Sequence, residues 1–335
     1  MSAAFDTIYK NKILTILEDI LEEGELRLVR FLLSNTTLET RINKADIQAP
    51  FNSNIGTPQG DGLSPVLFII YLEHALRKTR TVIGDPTTKL EELIPREIAY
   101  ADDVDSIGSK YIDIDAVENA LKEFDLIVNV NKTELTSISK EETEWRKTKK
   151  RGSLMGDAED VKRRKQFSNV ALYKLKNVWI SKDKMKREIK IKLYKSLVKL
   201  ILIYNCGTWA LTQTEANKLD TFHRKQLRNI LDIHYPTLIS NKSLYKICNE
   251  TPLSVQIVES RWRLFSHILK RDNDTQANRA MQAYFETLTT KFRGRPSTTL
   301  PTILNKELSQ AFPQMKLKTT KDLQNLQSLA QDRGN

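Results

Sequence analysis

Apolar residues recur at three- and four-residue spacing through Ile13, Ile16, Leu17, Ile20 and Leu21, which predicts an amphipathic helix, and residues 26–33 continue the pattern as a second. Residues 40–43 and the stretch around Ile47 read as a strand pair leading into a glycine-rich loop, Gly56 to Gly62. Ser64-Pro65 then places a serine N-cap before a proline at the first helical position. The run from Val66 to Leu76 predicts a largely buried helix, with Glu73, Arg77 and Lys78 at its wetter end. Further on, two short β-prone runs, 97–101 and 104–107, flank Asp102-Asp103 and predict a hairpin with both carboxylates at its tip. After Ser168 the period turns helical. One stripe joins Met185, Ile189, Leu193, Leu197, Leu200, Ile201 and Tyr204; another joins Leu219, Phe222, Leu227, Ile230 and Leu231. The pattern is therefore α+β followed by a mostly helical region, and 335 residues is more than one typical domain.

Charge narrows the partners. Fifty-three Lys and Arg oppose 42 Asp and Glu, a formal net charge of +11, so polyanions are attracted over long range. The excess is densest between Trp145 and Lys165, where Arg146, Lys147, Lys149, Lys150, Arg151, Lys162, Arg163, Arg164 and Lys165 meet only Asp157, Glu159 and Asp160. Nucleic-acid contact is the expected role of Arg151, Arg163, Arg164 and Lys165; a solvated linker is the plainer alternative. The helical stripes carry Lys190, Lys192, Lys195, Lys199, Arg224, Lys225 and Arg228 on faces expected to be exposed. Cys206 and Cys248 are the only cysteines, which excludes a disulfide scaffold and disfavours a zinc site. Without a signal peptide or an apolar run of membrane-span length, the expected location is nuclear or cytoplasmic.

The glycine loop and the acidic hairpin together resemble the palm of a reverse transcriptase, in the version carried by non-LTR (LINE-like) retrotransposons. That family's nucleotide-positioning loop, Gly-x-Pro-Gln-Gly-x-x-Leu-Ser-Pro-x-Leu-Phe, is matched at every specified position by residues 56–68. Its metal-binding hairpin, Tyr/Phe-Ala-Asp-Asp, is matched at 100–103. Residues 126–134 are similar to its next element, a small strand ending Asn-x-x-Lys-Thr. The resemblance implies that Asp102 and Asp103 bind Mg²⁺ (or Mn²⁺), that Pro58, Gln59 and Gly60 position template and incoming nucleotide, that Phe5 guards the sugar, and that Lys132 gives a proton to the pyrophosphate. It implies an RNA template, a DNA primer or RNA–DNA hybrid, and a dNTP as partners. Residues 202–209 and 261–269 extend the likeness into the helical half, as thumb and connection. Arg151-Gly152-Ser153-Leu154 lies where the family has a primer-gripping hairpin, of which Gly-Ser is retained.

The expected domains are a partial palm over 1–140, a basic linker or primer-grip remnant over 141–168, a helical thumb and connection over 169–312, and a flexible tail over 313–335. Ala4-Phe5-Asp6 is similar to the end of the family's first catalytic motif, Asp-x-x-x-Ala-Phe-Asp, whose metal-binding aspartate would fall just before Met1. The expectation is thus an N-terminally truncated enzyme, inactive alone, with Asp6, Asp61 and Asp105 as carboxylates of the right type but not at the ligand's place. Two alternatives stay open: a non-catalytic RNA- or DNA-binding protein derived from such an enzyme, and a palm-fold interaction module.

Overall fold

A computed structural model describes residues 8–331 except 35–36, 39–40, 43–45, 48–50, 54, 58–60, 85–94, 101–102, 109–111, 139–143, 151, 181–184 and 288–297. The chain divides into two compact units, residues 1–135 and 136–335.

In the first unit, α1 (Lys10–Glu18) turns Ile13, Ile16 and Leu17 inward, as their spacing predicts. The second helix, α2 (Glu23–Ser34), is apolar on two sides: Leu33 is buried, whereas Leu28, Phe31 and Leu32 face outward. Lys10 is itself buried and donates to the Leu33 carbonyl at 3.0 Å and to the Ser53 carbonyl, tying α1 to both segments. The expected strand pair is present as β2 (Arg41–Ile42) against β3 (Asp46–Ile47), outside which β1 (Thr37–Leu38) pairs with β4 (Phe51–Asn52). All four are antiparallel.

The helix that organises this unit is α3 (Ser64–Ile83). Leu67, Phe68, Tyr71, Leu72, Ala75 and Leu76 form its buried stripe, joined in one core by Ile13, Leu17, Leu121 and Leu126. Its start differs from expectation by one residue. Leu63 is the cap and Ser64 the first helical residue, because the Asp61 carboxylate already accepts from the Leu63 amide at 3.3 Å. Val66 and Ile69 are exposed, so the apolar run is buried on one side only. Next, β5 (Glu97–Tyr100) and β6 (Asp103–Ser106) form the expected hairpin, with Tyr100 opposite Asp103 and Ala99 opposite Val104. Helix α4 (Ile114–Lys122) is capped by Asp113, whose Oδ1 accepts from the Asp115 and Ala116 amides. Residues 126–129 are not a strand. The Asn129 carbonyl takes the Lys132 and Thr133 amides, closing a 3₁₀ turn over Val130–Lys132.

The second unit begins with a small antiparallel hairpin, β7 (Lys149–Lys150) and β8 (Ser153–Leu154). The segment expected as a basic linker then becomes α5 (Asp157–Lys174). Asp157, Glu159 and Asp160 in its first turn complement the helix dipole, the start signal that the basic run obscured. After α6 (Lys176–Ile180), the stretch α7 (Arg187–Tyr194), a π-helical segment (Lys195–Lys199) and α8 (Leu200–Leu202) runs on without a break. The buried side here is Ile191, Tyr194, Val198 and Leu202, not the stripe of Ile189, Leu197, Leu200 and Tyr204, all of which are exposed. The stretch is apolar on more than one side, and the π segment rotates its register, so period alone selects the wrong face.

Helix α9 (Gln213–Ile230) opens with a capping box between Thr212 and Glu215 and buries Leu219, Leu227 and Ile230. Helix α10 (Asn241–Cys248) ends on Asn249 in the left-handed conformation, φ 46°. Gly207 sits where a Cβ would lie 3.1 Å from the Ser260 carbonyl of α11 (Leu253–Leu269), and the Arg261 guanidinium donates to the Trp209 carbonyl at 2.7 Å. Segments 202–209 and 261–269 are thereby one packed corner. Helices α12 (Gln276–Thr287), α13 (Leu300–Ala311) and α14 (Thr320–Gln331) share a core with α11. The tail expected to be flexible is therefore helical: Leu317 and Leu323 are buried, and Asp322 accepts from the Lys318 and Thr319 amides.

Candidate functional site

Asp103 begins strand β6, exposed, at the end of the β5–β6 hairpin; Asp105 follows on the same face of the strand. Asp102 lies outside the described residues, as do Phe5, Pro58, Gln59, Gly60 and Arg151. The hairpin stands against the N-terminal half of α3. A cleft of about 430 Å³ between them is lined by Pro65, Phe68, Ile69, Leu72, Glu73, Leu76, Ala99 and Tyr100. The helix that follows the glycine loop and the strand that precedes the paired aspartates thus share one depression. Arg80 locks this arrangement by bonding Glu73 at 2.8 and 3.0 Å and Glu97 at 2.7 Å. Its hydrogen bond holds the Glu73 carboxyl below the ordinary range. At the loop itself, Gly56 has φ 81°, and its amide donates to the Ile8 carbonyl at 2.8 Å, bringing the N-terminal segment to the loop's start. The Thr57 and Ser64 hydroxyls are buried without hydrogen-bond partners among the described residues.

The carboxylate oxygens at this hairpin are hard donors suited to Mg²⁺ or Mn²⁺. Among the described residues no group of three or more His, Cys, Asp or Glu side chains gathers to hold a metal. Lys132 is exposed in its 3₁₀ turn.

The basic cluster sorts itself by direction. Arg163 lies 4.9 Å over the Phe167 ring and Lys165 5.6 Å over the Phe222 ring, both partly exposed. Desolvation, with help from Lys218, lowers the Lys165 ammonium pKa. Arg164 points inward instead: it is buried, donates to Gly152 O and to Ser153 Oγ at 3.0 Å, and stacks 4.4 Å over Tyr204. Lys190, Lys195 and Lys199, expected on exposed faces, also work inside the fold. Lys190 is buried and donates to the Trp179 carbonyl at 2.6 Å. Lys195 and Lys199, the first and last residues of the π segment, grip the buried Glu250 carboxylate at 3.2 and 2.7 Å.

Sequence reasoning missed the Arg80 bridge and the inward group around Asp160. The only available signals were the Arg80 spacing from Glu73 and the three acids opening α5.

An acidic hairpin set against a helix fed by a glycine loop stands in a chain of net charge +11, which attracts polyanions. The model of the reverse transcriptase (RNA-dependent DNA polymerase) family matches residues 1–169, and the chain belongs to that family. Its α+β first part and helical second part fit a palm followed by a helical region. No curated protein matches the chain, and no solved structure does. The family as a whole copies RNA into DNA on a template and primer, with dNTPs and divalent metal.

Proposed function

We propose that this chain is the polymerase part of a non-LTR retrotransposon reverse transcriptase, extending a primer along an RNA template. The observation that supports the reading is the β5–β6 hairpin: Tyr100 pairs with Asp103 at its end, and the hairpin lines one cleft with the helix that follows the glycine loop. Asp102 and Asp103 hold the divalent cation, Pro58, Gln59 and Gly60 position template and nucleotide, Phe5 sits under the sugar, and Lys132 protonates the leaving pyrophosphate. The cation, when bound, supplies Lewis-acid activation of the attacking hydroxyl and neutralises charge on the leaving group. Arg80 keeps the hairpin in place from behind. The packed corner of segments 202–209 and 261–269 supports the non-LTR assignment, since these are the helical segments that carry the likeness.

The test is primer extension on an RNA template in Mg²⁺, read in a complete enzyme of the family that carries this chain. Asp102→Asn should abolish extension and leave hybrid binding intact or slightly tighter, because it removes a metal ligand and a negative charge near phosphate. Equal extension by the variant and the parent would refute the assignment. The net charge of +11 and the basic helical unit favour one second reading, a nucleic-acid-binding protein derived from such an enzyme. Salt-sensitive hybrid binding with no Mg²⁺-dependent extension would select it.

A further inference from the structure

A cavity of about 490 Å³ opens on the second unit where the last turns of α5, helix α6 and the end of α9 meet. Its size falls in the range of about 300–1,000 Å³ usual for small-molecule sites. The apolar wall is fixed from within. Leu172 and Trp179 are buried, and the Trp179 indole donates to the Leu172 carbonyl at 2.8 Å while its own carbonyl accepts from Lys190. Tyr173 lines the same cavity yet is 73% exposed, with the Lys176 ammonium 5.8 Å over its ring.

A buried relay sets part of the polar side. The Tyr194 hydroxyl donates to Gln226 Oε1 at 2.9 Å, and the Gln226 NH₂ group donates to Ser168 Oγ at 2.9 Å and to Asn169 Oδ1 at 3.2 Å. The Asn169 carboxamide is thereby held by its oxygen, which leaves its own NH₂ group to meet a ligand. Asn229 adds a second carboxamide, and Asp232 a carboxylate 3.6 Å from His234.

These groups match the three parts of a nucleotide. Bases of any sequence stack on aromatic rings. A carboxamide pairs its donor and acceptor with the edge of adenine. A carboxylate accepts from ribose hydroxyls, and it has lone pairs enough to do so beside other partners. An ammonium meets phosphate. We propose that this cavity binds a purine ribonucleoside 5′-phosphate. Tyr173 and Trp179 take the base, Asn169 and Asn229 read its edge, Asp232 holds the ribose and Lys176 the phosphate. The proposal does not rest on the polymerase reading, since none of these residues belongs to the aspartate hairpin or the glycine loop. A free nucleotide and an unpaired residue of an RNA strand present the same chemistry.

The test is calorimetric titration of the full chain with AMP, adenosine and dAMP. AMP should bind saturably and more tightly than either of the others. Tyr173→Ala should weaken all three ligands about tenfold. Lys176→Ser should bring AMP down to the affinity of adenosine and leave adenosine unchanged. Asp232→Asn should remove the preference for AMP over dAMP; asparagine tolerates the φ of 56° at this position. Loss of one ligand preference at a time is what a merely structural role would not produce. All three substituted side chains are exposed, and should circular dichroism show one variant unfolded, the other two decide. Single-stranded oligoadenylate that displaces AMP more effectively than AMP itself would make an unpaired RNA residue the occupant. Displacement no better than AMP's would make it the free nucleotide, and either result upholds the site. Absence of saturable AMP binding overturns the proposal, as does binding at the parent's affinity in both Tyr173→Ala and Lys176→Ser, which would put the nucleotide elsewhere.

Discussion

His223 shows how a single residue can set the acid limit of a unit. Its ring is fully buried, stacked at 5.9 Å on Tyr194, and among the described residues neither nitrogen has a hydrogen-bond partner. Burial first, then the charges of Lys199 and Arg224 set against those of Glu250 and Asp220, pushes its pKa down to about 4. The folded state holds the ring neutral while the unfolded chain protonates near the ordinary 6.5, so stability falls as pH drops from about 6.5 toward 4. The loss should total roughly 3 kcal/mol at the lower end, at about 1.4 kcal/mol per pH unit. Urea midpoints of the parent and of His223→Phe, followed across that window, check this: the parent's should decline with acid and the variant's stay nearly level. Below it Glu250 adds its own loss. Burial alone would raise its carboxyl, but the Lys199 and Lys195 contacts outweigh burial and hold it below the usual range.

At the scale of elements, the hairpin β5–β6 depends on one guanidinium. Arg80 reaches from α3 to the nearly buried Glu97 carboxylate at the start of β5, and charge-assisted bonds of this kind contribute about 1.5–3 kcal/mol each. Arg80→Met should leave α3 folded and speed amide exchange at Ile98 and Val104 roughly tenfold or more, a change that hydrogen–deuterium exchange would register. Elements were legible in the sequence wherever local chemistry and tertiary demand agree. The acidic hairpin, the Val66–Leu76 helix, α1 and the strand pair at 41–47 all follow from period and turn residues. Legibility failed where packing chose among equals. The 187–202 stretch offers two apolar faces and a π segment between them, and α14 hides its buried Leu323 in a polar sequence. Lysine misleads most, because its long stem lets Lys10, Lys190 and Lys199 bring an ammonium to interior acceptors that no sequence pattern reveals.

For the whole molecule, the net charge of +11 overstates the surface available to a polyanion, because a share of the bases is engaged inside. Arg164, Arg261, Lys190, Lys195 and Lys199 all have interior partners. Binding to a hybrid should still weaken linearly in log salt. Arg163→Glu with Lys165→Glu should flatten that line, whereas a model that counts every base in the 146–165 cluster would expect a steeper starting slope than titration finds. Of the candidate site, the residue types and their order were readable from sequence, and the partnership of hairpin and helix emerged only in three dimensions.

Among the described residues, four other than glycine, Asp125, Asn205, Asp232 and Asn249, hold φ between 46° and 58°, a region where a side chain strains the backbone. Asn249 is the cleanest of them, since its own main chain makes both bonds: its amide donates to Lys246 O, and its carbonyl accepts from the Lys195 ammonium. Glycine there would keep both bonds and release the strain, partly offset by the freer unfolded chain. Asn249→Gly should therefore raise the melting temperature by about 1–3 °C in a calorimetric scan. The chain sits below the most stable version of its own fold, with slack at its helix ends that further mutation could draw on while the aspartate hairpin stays untouched.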